Sequence, residues 1–176
     1  MREAPGADEM IAMIRAAAQT WMDANPRLRL VYDGVTTEEP ANGNNVIGWG
    51  SSPQNTGIAN ASAHHTPSQY GPTYTGFHVI MENMTGWSWQ PCDPENGPPC
   101  SDDPNASGDF QGTVTHELGH VLGLNHACWE GTCNPEELSM SVRGAERSRQ
   151  TLALGDVLGV RELYPTDAAM PTIHRP

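Results

Sequence analysis

Residues 113–126 read TVTHELGHVLGLNH, and three of the chain's seven histidines fall in that stretch. His116 and His120 are four residues apart, so on a helix they stand one turn above each other on a single face. Two imidazoles in that relation bind one Zn²⁺ at about 2.0–2.1 Å each. Glu117 directly follows His116 and can reach a water on the metal without itself ligating. Zinc lowers the pKa of such a water towards about 7, and Glu117 is placed to take its proton and hand it to a leaving amine. His126 lies six residues past His120, where a continuing helix would aim it away from the metal. Gly123 resolves this, because glycine adopts the left-handed conformation that ends a helix and turns the chain back. Three histidine ligands leave a fourth position open, as a catalytic zinc site requires. The bland alternative is an ordinary helix with exposed or packed histidines, and the correctly spaced Glu117 and Gly123 weigh against it.

The elements that must position this segment are legible as hydrophobic periodicity. Residues 7–24 carry Met10, Ile11, Ile14, Ala17, Ala18 and Trp21 at helical spacing, with Asp8 and Glu9 at the start and Asn25-Pro26 at the end, which predicts a helix. Leu28–Tyr32 alternates weakly and predicts a strand closed by Asp33-Gly34. Asn45–Trp49, Gly57–Ala63 and Thr75–Met81 are further strand candidates. Residues 85–111 form a long stretch rich in Pro, Asp, Asn and Gly, expected to be irregular. Thr113–Leu124 and Leu152–Leu163 are the remaining helices, the second stopped by Tyr164-Pro165. Strands grouped ahead of the last helices predict an α+β fold rather than alternating βαβ units.

The 176 residues suffice for one domain with a core, taken as 1–165, followed by a loose tail at 166–176. The hydrophobic share is 37%, with 18 Gly and 15 Pro, which fits a compact domain with long loops. The net charge is −12 and all nine cationic residues are Arg, so nucleic acid and anionic membranes are excluded as partners on electrostatic grounds. Apolar runs fall short of a membrane span, and a monomer is expected. Met1–Met10 is acidic and polar and does not read as a signal peptide, so an exported protein would carry this sequence in mature or trimmed form. Cys92 and Cys100, and Cys128 and Cys133, sit in loop-like sequence. That favours two local disulfides and a secreted, extracellular location, against a cysteine metal site whose spacings do not fit a zinc knuckle.

The motif His116-Glu117-x-x-His120-x-x-Gly123-x-x-His126 resembles that of the metzincin zinc metallopeptidases. The order of the flanking elements, and Leu154–Tyr164 as a C-terminal helix, are similar to the matrixin branch and its microbial relatives. The resemblance implies a mixed twisted sheet with an active-site helix and a C-terminal helix. It implies a zinc endopeptidase acting on extended protein or peptide substrates, with His116, His120 and His126 on one catalytic zinc and Glu117 as general base and acid. It also implies a methionine turn beneath the metal, for which Met140 is the candidate, and an edge strand that pairs with substrate, for which Ile58–Ala63 is the candidate. The chain departs from the pattern in lacking the strand before the first helix and the propeptide cysteine motif. It also carries a longer His126–Met140 interval and Ser141-Val142-Arg143 after the methionine. The missing strand leaves a second function open, a catalytically weak, zinc-stabilised binding module of the same fold. His64, His65 and His78 suggest a second, structural zinc, although the aspartates that accompany such a site are absent from 57–83. Asp93, Glu95, Asp102, Asp103 and Asp109 are either calcium ligands or a solvated acidic loop.

Overall fold

The computed structural model describes residues 6–50, 59–66, 73–82, 87–88, 108–127, 138–141 and 150–165. Helix α1 spans Ala7–Ala24, as its periodicity predicts. Asp8 and Glu9 lie in its first turn, at the positive end of the helix dipole. Ala17, Trp21 and Ala24 form its buried stripe, and Asn25 ends it in an extended conformation.

The strand expected at Leu28–Tyr32 does not form. Leu28 is buried, but the Leu30 N–H points at the Met22 sulfur at 3.4 Å, and the Arg15 guanidinium lies over the Tyr32 ring at 5.8 Å. Both partners belong to α1, so the segment is laid back along the helix and leaves Val31 exposed. Weak alternation makes a strand only where a neighbouring strand supplies the ladder.

Three strands form one mixed sheet: β1 (Val46–Gly50), β2 (Ala59–Thr66) and β3 (Thr73–Glu82). Their order is β1-β3-β2. Strand β1 runs parallel to β3 with Val46 opposite His78. Strand β2 runs antiparallel with Ala61 opposite Val79, and its register shifts between His64 and His65. Two short strands, β4 (Trp87–Ser88) and β5 (Gly108–Asp109), pair in parallel near the two ends of the segment expected to be irregular. What lies between them, including Cys92 and Cys100, falls outside the described residues, as do Cys128, Cys133 and the tail.

Helix α2 spans Phe110–Val121, starting and ending three residues before the predicted Thr113–Leu124. Asp109 sets the start, because its carboxylate accepts from the Gly112 N–H at 3.0 Å, the bond that satisfies an orphan donor of the first turn. Phe110 then packs with Trp49 and Trp87 at ring separations of 5.7 Å each. Helix α3 spans Leu154–Leu163 and starts two residues later than the periodicity predicts. There Asp156 reaches back to the Ala153 N–H at 3.0 Å.

Helix α2 is the centre of the packing, against α1 on one side and β2 and β3 on another. Trp21, Val79, Met81, Val114, Leu118, Met140 and Val160 share one buried cluster, each side chain stabilising by about 1.5–3 kcal/mol on burial. This is an α+β fold. Among the described residues no helix is long and apolar enough to cross a membrane.

Candidate metal centre

His116 and His120 project from α2, and His126 is returned to them by the turn that follows it. Gly123 makes that return with φ +95°, in the region that favours glycine. The Gly123 N–H reaches the His120 carbonyl at 2.9 Å and the Leu124 N–H the Gly119 carbonyl at 3.0 Å, closing the helix end. The three Nε2 atoms then stand 3.1, 3.1 and 3.2 Å from one another. His116 is buried, His120 half-buried and His126 exposed, so the group opens to solvent on one side.

Two hydrogen bonds decide what these nitrogens present. His116 Nδ1 lies 2.6 Å from the Ser139 carbonyl oxygen, and His120 Nδ1 lies 2.8 Å from that of Leu124. A carbonyl only accepts, so both Nδ1 atoms carry a proton, and each ring in its neutral form turns an Nε2 lone pair inward. Lone pairs 3.2 Å apart repel unless a cation or a proton sits between them. A tetrahedral ion with bonds of about 2.0–2.1 Å separates its ligand atoms by about 3.3–3.4 Å, close to the spacing observed. The group therefore fits a metal ion, and a set of imidazoles suits zinc, copper, iron or nickel.

The support of this group comes from distant parts of the chain. Trp21 of α1 donates its indole N–H to the Thr115 carbonyl at 2.8 Å, one residue before His116. Met140 is fully buried and lies so close to Gly119 that a Cβ there would overlap its sulfur. The methionine thus abuts α2 one residue before His120. The Met140 carbonyl accepts from the Ala127 N–H at 2.9 Å, directly after His126. The Tyr164 hydroxyl donates to the Leu122 carbonyl at 2.9 Å, directly before Gly123. Glu117 is buried on α2 beside His116.

The side chains singled out elsewhere do not assemble in the same way. His64 Nε2 and His78 Nδ1 approach to 3.3 Å across β2 and β3. Among the described residues, however, His116, His120 and His126 are the one group of three that could hold a metal. His78 Nδ1 accepts from the Gly43 N–H at 3.3 Å, and burial followed by the nearby His64 pushes the His78 pKa below the usual histidine value. Asp109, counted with the calcium candidates, caps α2 and takes two 3.1 Å bonds from Gln150 Nε2. Asp93, Glu95, Asp102 and Asp103 lie outside the described residues. Sequence reasoning did not find the Ser139 and Leu124 carbonyls, which carry no residue-type signal, or Asp156, which reads only as a helix-start acid. Neither a family model nor a curated protein matches the chain.

Proposed function

We propose that this chain is a secreted zinc endopeptidase of the metzincin type, nearest to the matrixin branch. The observation that carries the reading is the convergence of three imidazole Nε2 atoms at 3.1–3.2 Å with an acid next to a ligand on the same helix. His116, His120 and His126 would hold the zinc, which when bound would supply Lewis-acid polarisation of a scissile carbonyl and a more acidic water. His116 and His120 are held in one tautomer by the Ser139 and Leu124 carbonyls, which fixes their rings before metal binds. Glu117 takes the proton of the attacking water and returns it to the leaving amine. Among the described residues strand β2 is at the edge of the sheet, and it packs against α2. It includes Ala59–Ala63 of the expected substrate strand. An extended substrate adding to that edge by backbone hydrogen bonds would lie alongside the metal-binding helix.

The test is cleavage of an unfolded protein by wild type and Glu117→Gln, with zinc content measured on both. The substitution keeps size and helix preference but removes the base. We expect unchanged zinc retention, a rate reduced about 10²–10⁴-fold, and abolition of wild-type cleavage by a chelator. A Glu117→Gln variant as fast as wild type would sink the assignment of the base. Two proteins that both hold zinc and both fail to cleave would favour the zinc-stabilised binding module instead.

A further inference from the structure

We propose that Asp156 is a positioning residue for the metal centre, acting through the peptide unit that joins Ser139 to Met140. The inference rests on the reading that the histidine triad binds a metal. Asp156 is almost fully buried on the first turn of α3. Its carboxylate accepts from the Ser139 N–H at 2.8 Å and the Met140 N–H at 3.2 Å, besides the Ala153 N–H at its own helix start. The Met140 N–H and the Ser139 C=O belong to one planar trans peptide, so they point in opposite directions. Anchoring the N–H on Asp156 therefore aims the carbonyl at the far side of the turn, where His116 Nδ1 meets it at 2.6 Å. The result is a carboxylate–peptide–imidazole series in which each bond polarises the next, ending on a metal-facing nitrogen.

The same turn holds the third ligand. The Met140 carbonyl receives the Ala127 N–H, and Ala127 and Ser141 form an isolated parallel bridge directly after His126. One buried carboxylate on α3 thus orients the turn that touches the metal helix at His116 and the returning chain beside His126. Capping α3 explains only the Ala153 bond. The two bonds to Ser139 and Met140 reach across 16–17 residues of sequence and do nothing for the helix itself. A carboxylate supporting a metal-ligating imidazole raises its basicity and fixes its ring, and removal of such partners weakens metal binding about 10–100-fold.

The experiment is competitive zinc titration, together with the visible spectrum of the cobalt-substituted protein, on wild type, Asp156→Asn, Asp156→Ala and Val79→Ala. Val79 is buried on β3 in the core cluster that also holds Met140, so its truncation loosens the core while leaving the Asp156 hydrogen bonds in place. We expect Asp156→Ala to bind zinc about 10–100-fold more weakly and to alter the cobalt spectrum. Asp156→Asn, which keeps one acceptor, should fall between, and Val79→Ala should match wild type on both readouts. Wild-type affinity and spectrum in both Asp156 variants would overturn the proposal. So would an equal loss in Val79→Ala, which would reduce the effect to general loosening. If Asp156→Ala does not fold, Asp156→Asn decides alone. Wild type that takes up neither metal would mark failure of the triad reading itself, seen before any variant is compared, and the proposal would fall with it.

Discussion

Gly119 stands between the two helical histidines and has to be a glycine because of what lies against it. A Cβ at that position would meet the Met140 sulfur in overlap and the Trp21 Cζ2 at 2.8 Å. Neither neighbour can withdraw cheaply, since both are buried and Trp21 is tied by its indole N–H to the Thr115 carbonyl. Gly119→Ala is expected to cost about 1–3 kcal/mol through overpacking and to weaken zinc binding by displacing Met140. Chemical denaturation and metal titration of the variant check this, and unchanged values in both would show that the methionine is loosely seated. The convergence of the three histidines was legible in the sequence because its requirement is local: two histidines one helical turn apart and a glycine where the chain must turn back. The atoms that orient them were not legible. Ser139 and Leu124 act through backbone carbonyls, which any residue type would supply, and only the folded path of the chain brings Ser139 to His116.

At the scale of elements, the helices were read well and the strands unevenly. Helix α1 carries its own signals at both ends. Helix α2 begins three residues early because the Asp109 carboxylate reaches the Gly112 N–H of its first turn. The segment Leu28–Tyr32 failed as a strand because pairing is decided by neighbours that its own residues do not specify. Strands β2 and β3 bring together His64 and His78, and this pair has a pH signature. The Gly43 N–H donates to His78 Nδ1, so the folded state needs that nitrogen unprotonated. Burial and then His64 lower the pKa of His78, whereas an unfolded histidine titrates near 6.5. Below about pH 6.5 the unfolded chain therefore binds more protons than the folded one at this site, and stability falls with pH until the lower, folded pKa is passed. His78→Gln still offers an acceptor to Gly43 but does not titrate. The stability advantage of wild type over that variant should shrink between pH 7 and pH 5, measured by denaturant unfolding in the same metal-free buffer. An advantage that stays flat over the range would remove His78 from the account.

Over the whole molecule, the triad joins helix α2 to the turn that follows it. Helix α2 is clamped between α1 and the sheet, while His126 is exposed on a turn held by Leu122 in the core, by Leu124 and Ala127 packed against it, and by two hydrogen bonds, Tyr164 to Leu122 and Ala127 to Met140. A metal joining His126 to His116 and His120 would act as a cross-link made only in the folded state, since the unfolded chain does not preform the site. It would also replace the facing of the His116 and His120 lone pairs at 3.2 Å with coordination. Binding to the folded state alone raises stability by about 2.7 kcal/mol at a hundredfold excess over Kd and by about 4.1 kcal/mol at a thousandfold excess. The thermal midpoint should therefore climb with free zinc concentration, fall on chelation, and recover when zinc is returned. His126→Ala should flatten that response, because removing one of three ligands weakens binding while sparing the packing of α2 against α1 and the sheet. Scanning calorimetry at several buffered zinc concentrations would measure it. A midpoint indifferent to zinc in wild type would mean that the three imidazoles hold no metal under those conditions, and the catalytic reading would lose its foundation.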